Sequence, residues 1–216
     1  MKAFVIAMDS EAACVLDNLT DAFESREYGR RVISGKLHGE RVLVVVSGVG
    51  KSNAAAATQF AIQSGADEIF NLGVCGGFEP QMRIGELYEV DRAVQYDFDL
   101  AQLNGTEIGV LNERTSPYIP LRTTGEYPAK TLATGDHFND NTADLPLLAH
   151  LGVGLRDMEG AAIAHVCETA GVPCHALKCV TNVLGTGATD QYAENLKRCL
   201  NILTAALGAP SRPLHR

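Results

Sequence analysis

No stretch of the chain approaches the ~18–20 consecutive apolar residues that a membrane-spanning helix needs, so a transmembrane role is not expected. No excess of positive charge is present either. Lysine and arginine number 18 against 26 acidic residues, for a formal net charge of −8. A chain so charged lacks the electrostatic footprint of a nucleic-acid binder or of a protein that coats an acidic membrane. No CxxC pair occurs among the six cysteines, at positions 14, 75, 167, 174, 179 and 199. Most lie in apolar stretches such as Ala164-His165-Val166-Cys167, where they read as small buried hydrophobes rather than disulfide partners or zinc ligands. Neither the dinucleotide fingerprint GxGxxG nor the Walker pattern GxxxxGK[ST] is complete, which argues against a dehydrogenase or a nucleotide triphosphatase. There is no internal repeat and no low-complexity region. The first residues, Met1 to Met8, meet Asp9 and Glu11 too soon for a signal peptide, and the expected location is cytoplasmic.

What is present is ordinary globular composition: 216 residues, 46% hydrophobic and 20% charged, enough for one domain with a sizeable core. Residues 1–209 are expected to form that domain and 210–216 a frayed tail. Apolar β-branched runs bounded by glycine alternate with helical stretches. Strands are expected at Phe4–Met8, Glu68–Leu72, Glu86–Gln95, Thr131–Thr134 and His175–Val180. Helices are expected around Glu11–Asn18, Ser52–Ser64, Gly160–Ala170 and Gln191–Leu207. Arg31–Leu37 and Arg41–Ser47 read as a hairpin turning at His38-Gly39-Glu40. The alternation indicates an α/β fold with helices on both faces of a sheet, mixed rather than purely parallel because of the hairpin. The segment from Leu100 to Lys130 is the least regular.

Four segments at apparent strand ends could carry chemistry, since open α/β sheets gather ligands there. Met8-Asp9-Ser10-Glu11 places a carboxylate where it could activate water, or where Asp9 or Ser10 simply caps a helix. Ser47-Gly48-Val49-Gly50-Lys51 reads as close strand-to-helix packing more than as a phosphate loop. Asn71-Leu72-Gly73-Val74-Cys75-Gly76-Gly77 would let a flat ligand lie against the main chain, or form only a tight turn. In Asp157-Met158-Glu159-Gly160, followed later by Val180-Thr181-Asn182, a carboxylate sits between an apolar side chain and a helix. Glu159 is then either a helix-start acid complementing the dipole or a buried acceptor for a ribose diol.

Taken together, AMDSE (7–11), SGVGKSNAAAA (47–57), NLGVCGGF (71–78), RIGEL (83–87), ATGDHF (133–138), DMEGAAIAHVC (157–167) and VTN (180–182) resemble the purine nucleoside phosphorylase and nucleosidase superfamily. The resemblance is greatest to its 5′-methylthioadenosine/S-adenosylhomocysteine nucleosidase branch. It implies a three-layer α/β/α sandwich around a mixed, barrel-like sheet, a purine nucleoside substrate, no metal or organic cofactor, and a homodimer. By position, Glu11 resembles the residue that activates the attacking water, and Asn182 the residue that assists departure of the base. Glu159 resembles the ligand of the ribose hydroxyls and Met158 an apolar wall beneath the sugar. Val74, Cys75 and Gly76 fall in the substrate-lining turn. Phe138 resembles the aromatic that stacks on the purine, main-chain groups of Asn139 would read the base edge, and Thr181 lies near purine N7.

Two departures bear on the reaction. Asn182 stands where adenine-specific nucleosidases carry an aspartate; an amide can donate one hydrogen bond and accept another but cannot deliver a proton. The Thr181–Asn182 pair instead resembles the arrangement of trimeric phosphorylases that take 6-oxopurines. Val74 and Asn71 stand where phosphorylases place a serine and an arginine on phosphate, which favours water as the nucleophile. The competing readings are a futalosine hydrolase, a 6-oxopurine nucleoside phosphorylase, and a nucleoside-binding protein without turnover. Lys178 is a candidate partner for a buried ion, Asp97 and Asp99 for shaping a loop, and His137 adjoins the expected base pocket.

Overall fold

The computed structural model describes residues 1–78, 82–111, 114–138, 143–183 and 187–208. Asn139 and the 210–216 tail lie outside the described residues. In chain order the elements are β1 (Lys2–Ile6), α1 (Asp9–Leu16), β2 (Leu19–Glu27), β3 (Arg30–Leu37), β4 (Glu40–Val46), α2 (Lys51–Gln63), β5 (Glu68–Gly77), β6 (Leu87–Gln95), α3 (Ala101–Asn104), β7 (Ile119–Pro120), β8 (Ala129–Thr134), α4 (Leu145–His150), β9 (Leu155–Asp157), α5 (Gly160–Ala170), β10 (Cys174–Val183) and α6 (Ala188–Gly208).

Among the described residues the ten strands form one mixed sheet in the order β10-β6-β8-β9-β5-β1-β4-β3-β2, with β7 on β6. β10 also pairs with β5, so β5, β9, β8, β6 and β10 close into a ring. This is the mixed, barrel-like sheet expected from the sequence. Central strands β1, β5 and β10 run parallel and read as near-continuous apolar runs because both faces are covered. Helices α2 and α5 pack against one face around Ala54, Ala57, Ile163 and Cys167. On the other, α1 and α6 meet around Cys14, Cys179, Cys199 and Leu203. All six cysteines are buried free thiols, consistent with their reading as small hydrophobes.

The β3–β4 hairpin turns on two residues, His38 (φ +50°) and Gly39 (φ +83°). Both lie in the left-handed region that a tight hairpin turn matching strand twist requires. The structure extends or adds elements where sequence pattern was thin. β5 and β10 run on through Gly77 and Val183, well beyond the apolar runs that signalled them. β2 has only exposed or half-buried residues and so carries no clean alternation. The segment around Leu100 to Lys130 contains α3 and β7, both too short to show periodicity. Among the described residues, no helix is long and apolar enough to cross a membrane.

Candidate active site

The strand ends converge on a cavity of about 370 Å³ lined by Met8, Glu11, Val74, Cys75, Gly76, Phe138, Arg156, Asp157, Met158, Glu159, Thr181, Asn182 and Tyr192, among others. That volume suits a small organic ligand. Every site residue expected from the sequence is in this lining apart from Asn139, which lies outside the described residues.

Glu11 enters from the third position of α1. The helix is capped by Met8, not by Asp9 or Ser10. Asp9 is already helical and pairs with Arg31 at 3.0 Å on the surface, because the chain turns helical one residue earlier than the polar side chains suggest. Glu11 Oε2 accepts from the Met8 amide at 3.2 Å, and Oε1 accepts from the Val74 amide at 2.8 Å. Gly73 leaves the carboxylate its seat, since a Cβ there would stand 2.5 Å from Glu11 Oε1. Burial raises the Glu11 pKa above the ordinary carboxylate value, and the Lys178 charge and the two amides act against that rise.

Glu159 sits at the N-cap of α5 but does not cap it. Asp157 does so instead: its Oδ1 accepts from the Glu159 amide at 3.2 Å and its Oδ2 from the Gly160 amide at 3.0 Å. With the helix amides satisfied by a neighbour, the Glu159 carboxylate is free to turn into the cavity. There its Oε1 accepts from the Gly50 amide at 2.8 Å. Gly50 adopts φ +99°, which only glycine tolerates readily, so the Ser47–Lys51 loop acts as a cradle for a carboxylate as well as a packing element. Burial, reinforced by the nearby Asp157 charge, pushes the Glu159 pKa up to about 7.

Between the two glutamates lies an ion pair that the sequence hinted at only through Lys178. Lys178 Nζ meets Asp157 Oδ2 at 2.8 Å, with both side chains 2% exposed. Asp157 Oδ1 also accepts from Thr134 Oγ1 at 2.6 Å. Burial works most strongly against the Lys178 charge, but Asp157, Glu159 and Glu11 together outweigh it and hold the ammonium above its ordinary pKa.

At the far end, β10 is irregular between Val180 and Asn182 where it pairs with β5, a bulge that re-aims side chains. Thr181 Oγ1 lies 2.9 Å from Asn182 Oδ1 and 3.2 Å from the Cys75 carbonyl. Because the Asn182 oxygen takes the Thr181 hydroxyl, its Nδ2 is the atom presented across the Gly76 backbone, 3.2 Å from where a Cβ would stand. Phe138 is 51% exposed and meets Tyr192 edge-on at 5.6 Å. Tyr192 and Arg156 escaped the sequence reading. Tyr192 lies on the long closing helix, where one aromatic gives no separate signal. Arg156 precedes Asp157 in a three-residue strand with no visible alternation.

The supporting ties at the rim also fall into place. Asp97 accepts from Lys51 Nζ at 2.5 Å and from the Asp136 amide at 3.0 Å. His137 Nε2 lies 3.0 Å from both the Tyr96 hydroxyl and Asp144 Oδ2. Asp99 accepts the Ala101 amide at the start of α3. Asn71 is buried and its Nδ2 donates to the Val5 carbonyl at 3.0 Å, so it braces β1 against β5 and is not part of the cavity lining.

A family model described as the phosphorylase superfamily matches residues 2–209. The chain belongs to the phosphorylase superfamily. A 5′-methylthioadenosine/S-adenosylhomocysteine nucleosidase of Colwellia psychrerythraea is 30% identical over 224 aligned positions, gaps included, covering 91% of this chain and 90% of that one. The crystal structure of a nucleosidase of that name from the same organism, in complex with adenine, superposes with a TM-score of 0.84 at 27% identity, covering 96% and 95% of the two chains. The futalosine hydrolase of Helicobacter pylori shares the fold, with a TM-score of 0.89 at 22% identity over 95% and 94%.

Proposed function

We propose that this superfamily member is an enzyme that hydrolyses the N-glycosidic bond of a purine nucleoside, with Glu11 activating water and Glu159 holding the ribose. The observation that carries this reading is the pair of buried carboxylates, each seated on a main-chain amide and both facing one cavity. Cleavage develops positive charge on the sugar, as in other glycosyl transfers. Ionised Glu159 accepts from the ribose hydroxyls and, with Glu11, stabilises that charge. Water, giving its proton to Glu11, forms the new bond to C1′ while the C1′–N9 electron pair departs with the base. Met158 floors the sugar, Val74, Cys75 and Gly76 line it, and Phe138 stacks on the purine. Asn182, backed by Thr181, donates a hydrogen bond to N7 as negative charge grows there. The purine takes its proton from solvent, since an amide has none to give.

Water is a better nucleophile here than phosphate. Val74 offers the site an amide already committed to Glu11 and no hydroxyl, and a dianion beside Glu11 would meet like charge. Residues 1–209 make a single catalytic domain, acting as a homodimer in the cytoplasm, with no metal or organic cofactor. A second reading, a futalosine hydrolase acting on a hypoxanthine nucleoside, is favoured by Asn182 in place of an acid. The deciding experiment supplies methylthioadenosine, S-adenosylhomocysteine, inosine and futalosine with and without phosphate. Free base and a reducing sugar are expected, at a rate indifferent to phosphate. Phosphate-dependent release of ribose 1-phosphate would overturn the hydrolytic reading, and cleavage of none of the four would overturn the activity.

A further inference from the structure

Beyond Asn182 the cavity continues into a side pocket of about 40 Å³ lined by Gly76, His137, Phe138, Arg156, Asp157, Met158 and Asn182. The cation in this wall is Arg156, held on β9, where its backbone pairs with Gly76 on one side and Ala133 on the other. The residue is 8% exposed. Its guanidinium lies 5.3 Å from the Tyr96 ring centroid. Nη2 donates to the His137 carbonyl at 3.2 Å and stands 3.6 Å from Asp144 Oδ2. Nη1 is buried and has no hydrogen-bond partner among the described residues. A buried charged donor left without an acceptor is unfavourable, and such groups mark places where a ligand completes the bonding.

Next to it, Asn182 has its oxygen occupied by Thr181 and presents Nδ2. Asn182 and Arg156 both line this pocket, the first with its amide N–H presented and the second with an unpartnered guanidinium N–H buried in the wall. Adenine and the 6-oxopurines differ in just this respect. Both carry the N7 acceptor, but position 6 is an amino donor in adenine and a carbonyl acceptor in hypoxanthine and guanine. Two donors match N7 and O6, whereas a 6-amino group would leave Arg156 facing another donor.

We infer that Arg156 is a specificity-determining residue, its Nη1 donating to O6 of a 6-oxopurine whose N7 is held by Asn182, so that the substrate is a hypoxanthine or guanine nucleoside. This rests on the nucleosidase reading for the sugar end, but the base end can be tested apart from turnover. Calorimetric titration with free hypoxanthine and free adenine compares wild type with Arg156→Met and Arg156→Lys. Thermal unfolding of each variant confirms that it is folded. Wild type is expected to bind hypoxanthine about 10- to 100-fold more tightly than adenine. Arg156→Met should bring the two bases within about threefold by weakening hypoxanthine alone. Arg156→Lys, which keeps charge but not the planar fork, should fall between. Equal or tighter binding of adenine to wild type overturns the inference. So does a folded variant that loses both bases equally, which would make Arg156 a brace for His137 and Asp144, or one that keeps the preference intact. If Arg156→Met does not fold, the wild-type ratio and the lysine variant still decide. Selective hypoxanthine binding without cleavage of any purine nucleoside would sink the nucleosidase reading and leave Arg156 standing. Cleavage indifferent to the base would do the reverse.

Discussion

The two ends of the cavity are built from opposite materials. The end proposed to hold the sugar gathers acceptors: Glu11, steadied by two main-chain amides, and Glu159, steadied by one, with the Lys178–Asp157 pair behind them. The end proposed to hold the base has donors, Asn182 Nδ2 and the buried Arg156 Nη1, on side chains that each have another polar atom already bonded. In both places the backbone and neighbouring side chains satisfy one part of a functional group and leave the rest for a ligand. At the sugar end this concentrates negative charge where a cationic transition state would form. At the base end it concentrates positive and dipolar charge where the departing electron pair would go. On the proposed reading, the polarity of the cavity runs along the bond to be broken.

Glu11→Gln should break the sugar end most severely. The amide keeps the shape but cannot take a proton from water, so kcat should fall by about 10²–10⁴-fold with the affinity for nucleoside nearly unchanged. Comparing single-turnover rates with equilibrium binding measures this, and an unaltered rate would leave a binding protein rather than an enzyme. Lys178→Met should act on folding more than on affinity. It strands Asp157 as an uncompensated buried charge at a cost of about 3–5 kcal/mol, to be read as a fall in the denaturant midpoint. A loss below about 1 kcal/mol would show that Asp157 is not dependent on its partner. Gly73→Ala is smaller still in chemistry but sharper in location. The added methyl group meets Glu11 Oε1, and displacing a reacting carboxylate by about 1 Å costs on the order of 10²-fold in rate. Kinetics that match wild type would mean Glu11 can shift without consequence.

The two ends also differ in how readable they are. Glu11, Glu159, Phe138 and the glycine turns lie in continuous segments that match a family pattern in order and spacing, so their meeting at one cavity and the barrel-like sheet could be anticipated together. Arg156 could not, because nothing in a three-residue strand says which way its side chain goes, and its open nitrogen exists only through contacts with His137, Tyr96 and Asp144 from distant segments. The division of labour between Asp157 and Glu159 was equally hidden. Both sit at one helix start, and only the geometry reveals that the first satisfies the helix amides and so releases the second. Short elements such as β7 and β9 leave no signal in the sequence for the same reason: their hydrogen bonds come from neighbours, not from a local period.

The gentlest probe of the sugar end is pH. Glu159 titrates near 7 when folded, against an ordinary glutamate value of 4.5, chiefly through burial and then the Asp157 charge, with the Gly50 amide and Lys178 opposing and Glu11 adding to the rise. The folded protein therefore holds a proton that the unfolded chain has released between these values. The sign follows: the stability this group contributes is fully present below about pH 4.5 and is lost as pH rises through about 7. Glu159→Gln has nothing to ionise, so its stability relative to wild type should grow across that window by roughly 1–3 kcal/mol. Glu11 remains in both proteins and largely cancels in the difference. Thermal unfolding of the two proteins at pH 4.5, 6 and 8 measures it, and a constant gap would mean that Glu159 ionises in the fold as easily as in water. The same carboxylate must be charged to accept from two ribose hydroxyls, so kcat/KM for wild type should climb with pH toward a plateau above about 7. Glu159→Gln should lose most of that acid limb along with most of its affinity for the sugar. Stability and activity then pull in opposite directions at one atom group: the burial that makes the carboxylate costly to ionise also leaves it poorly solvated and ready for the ribose.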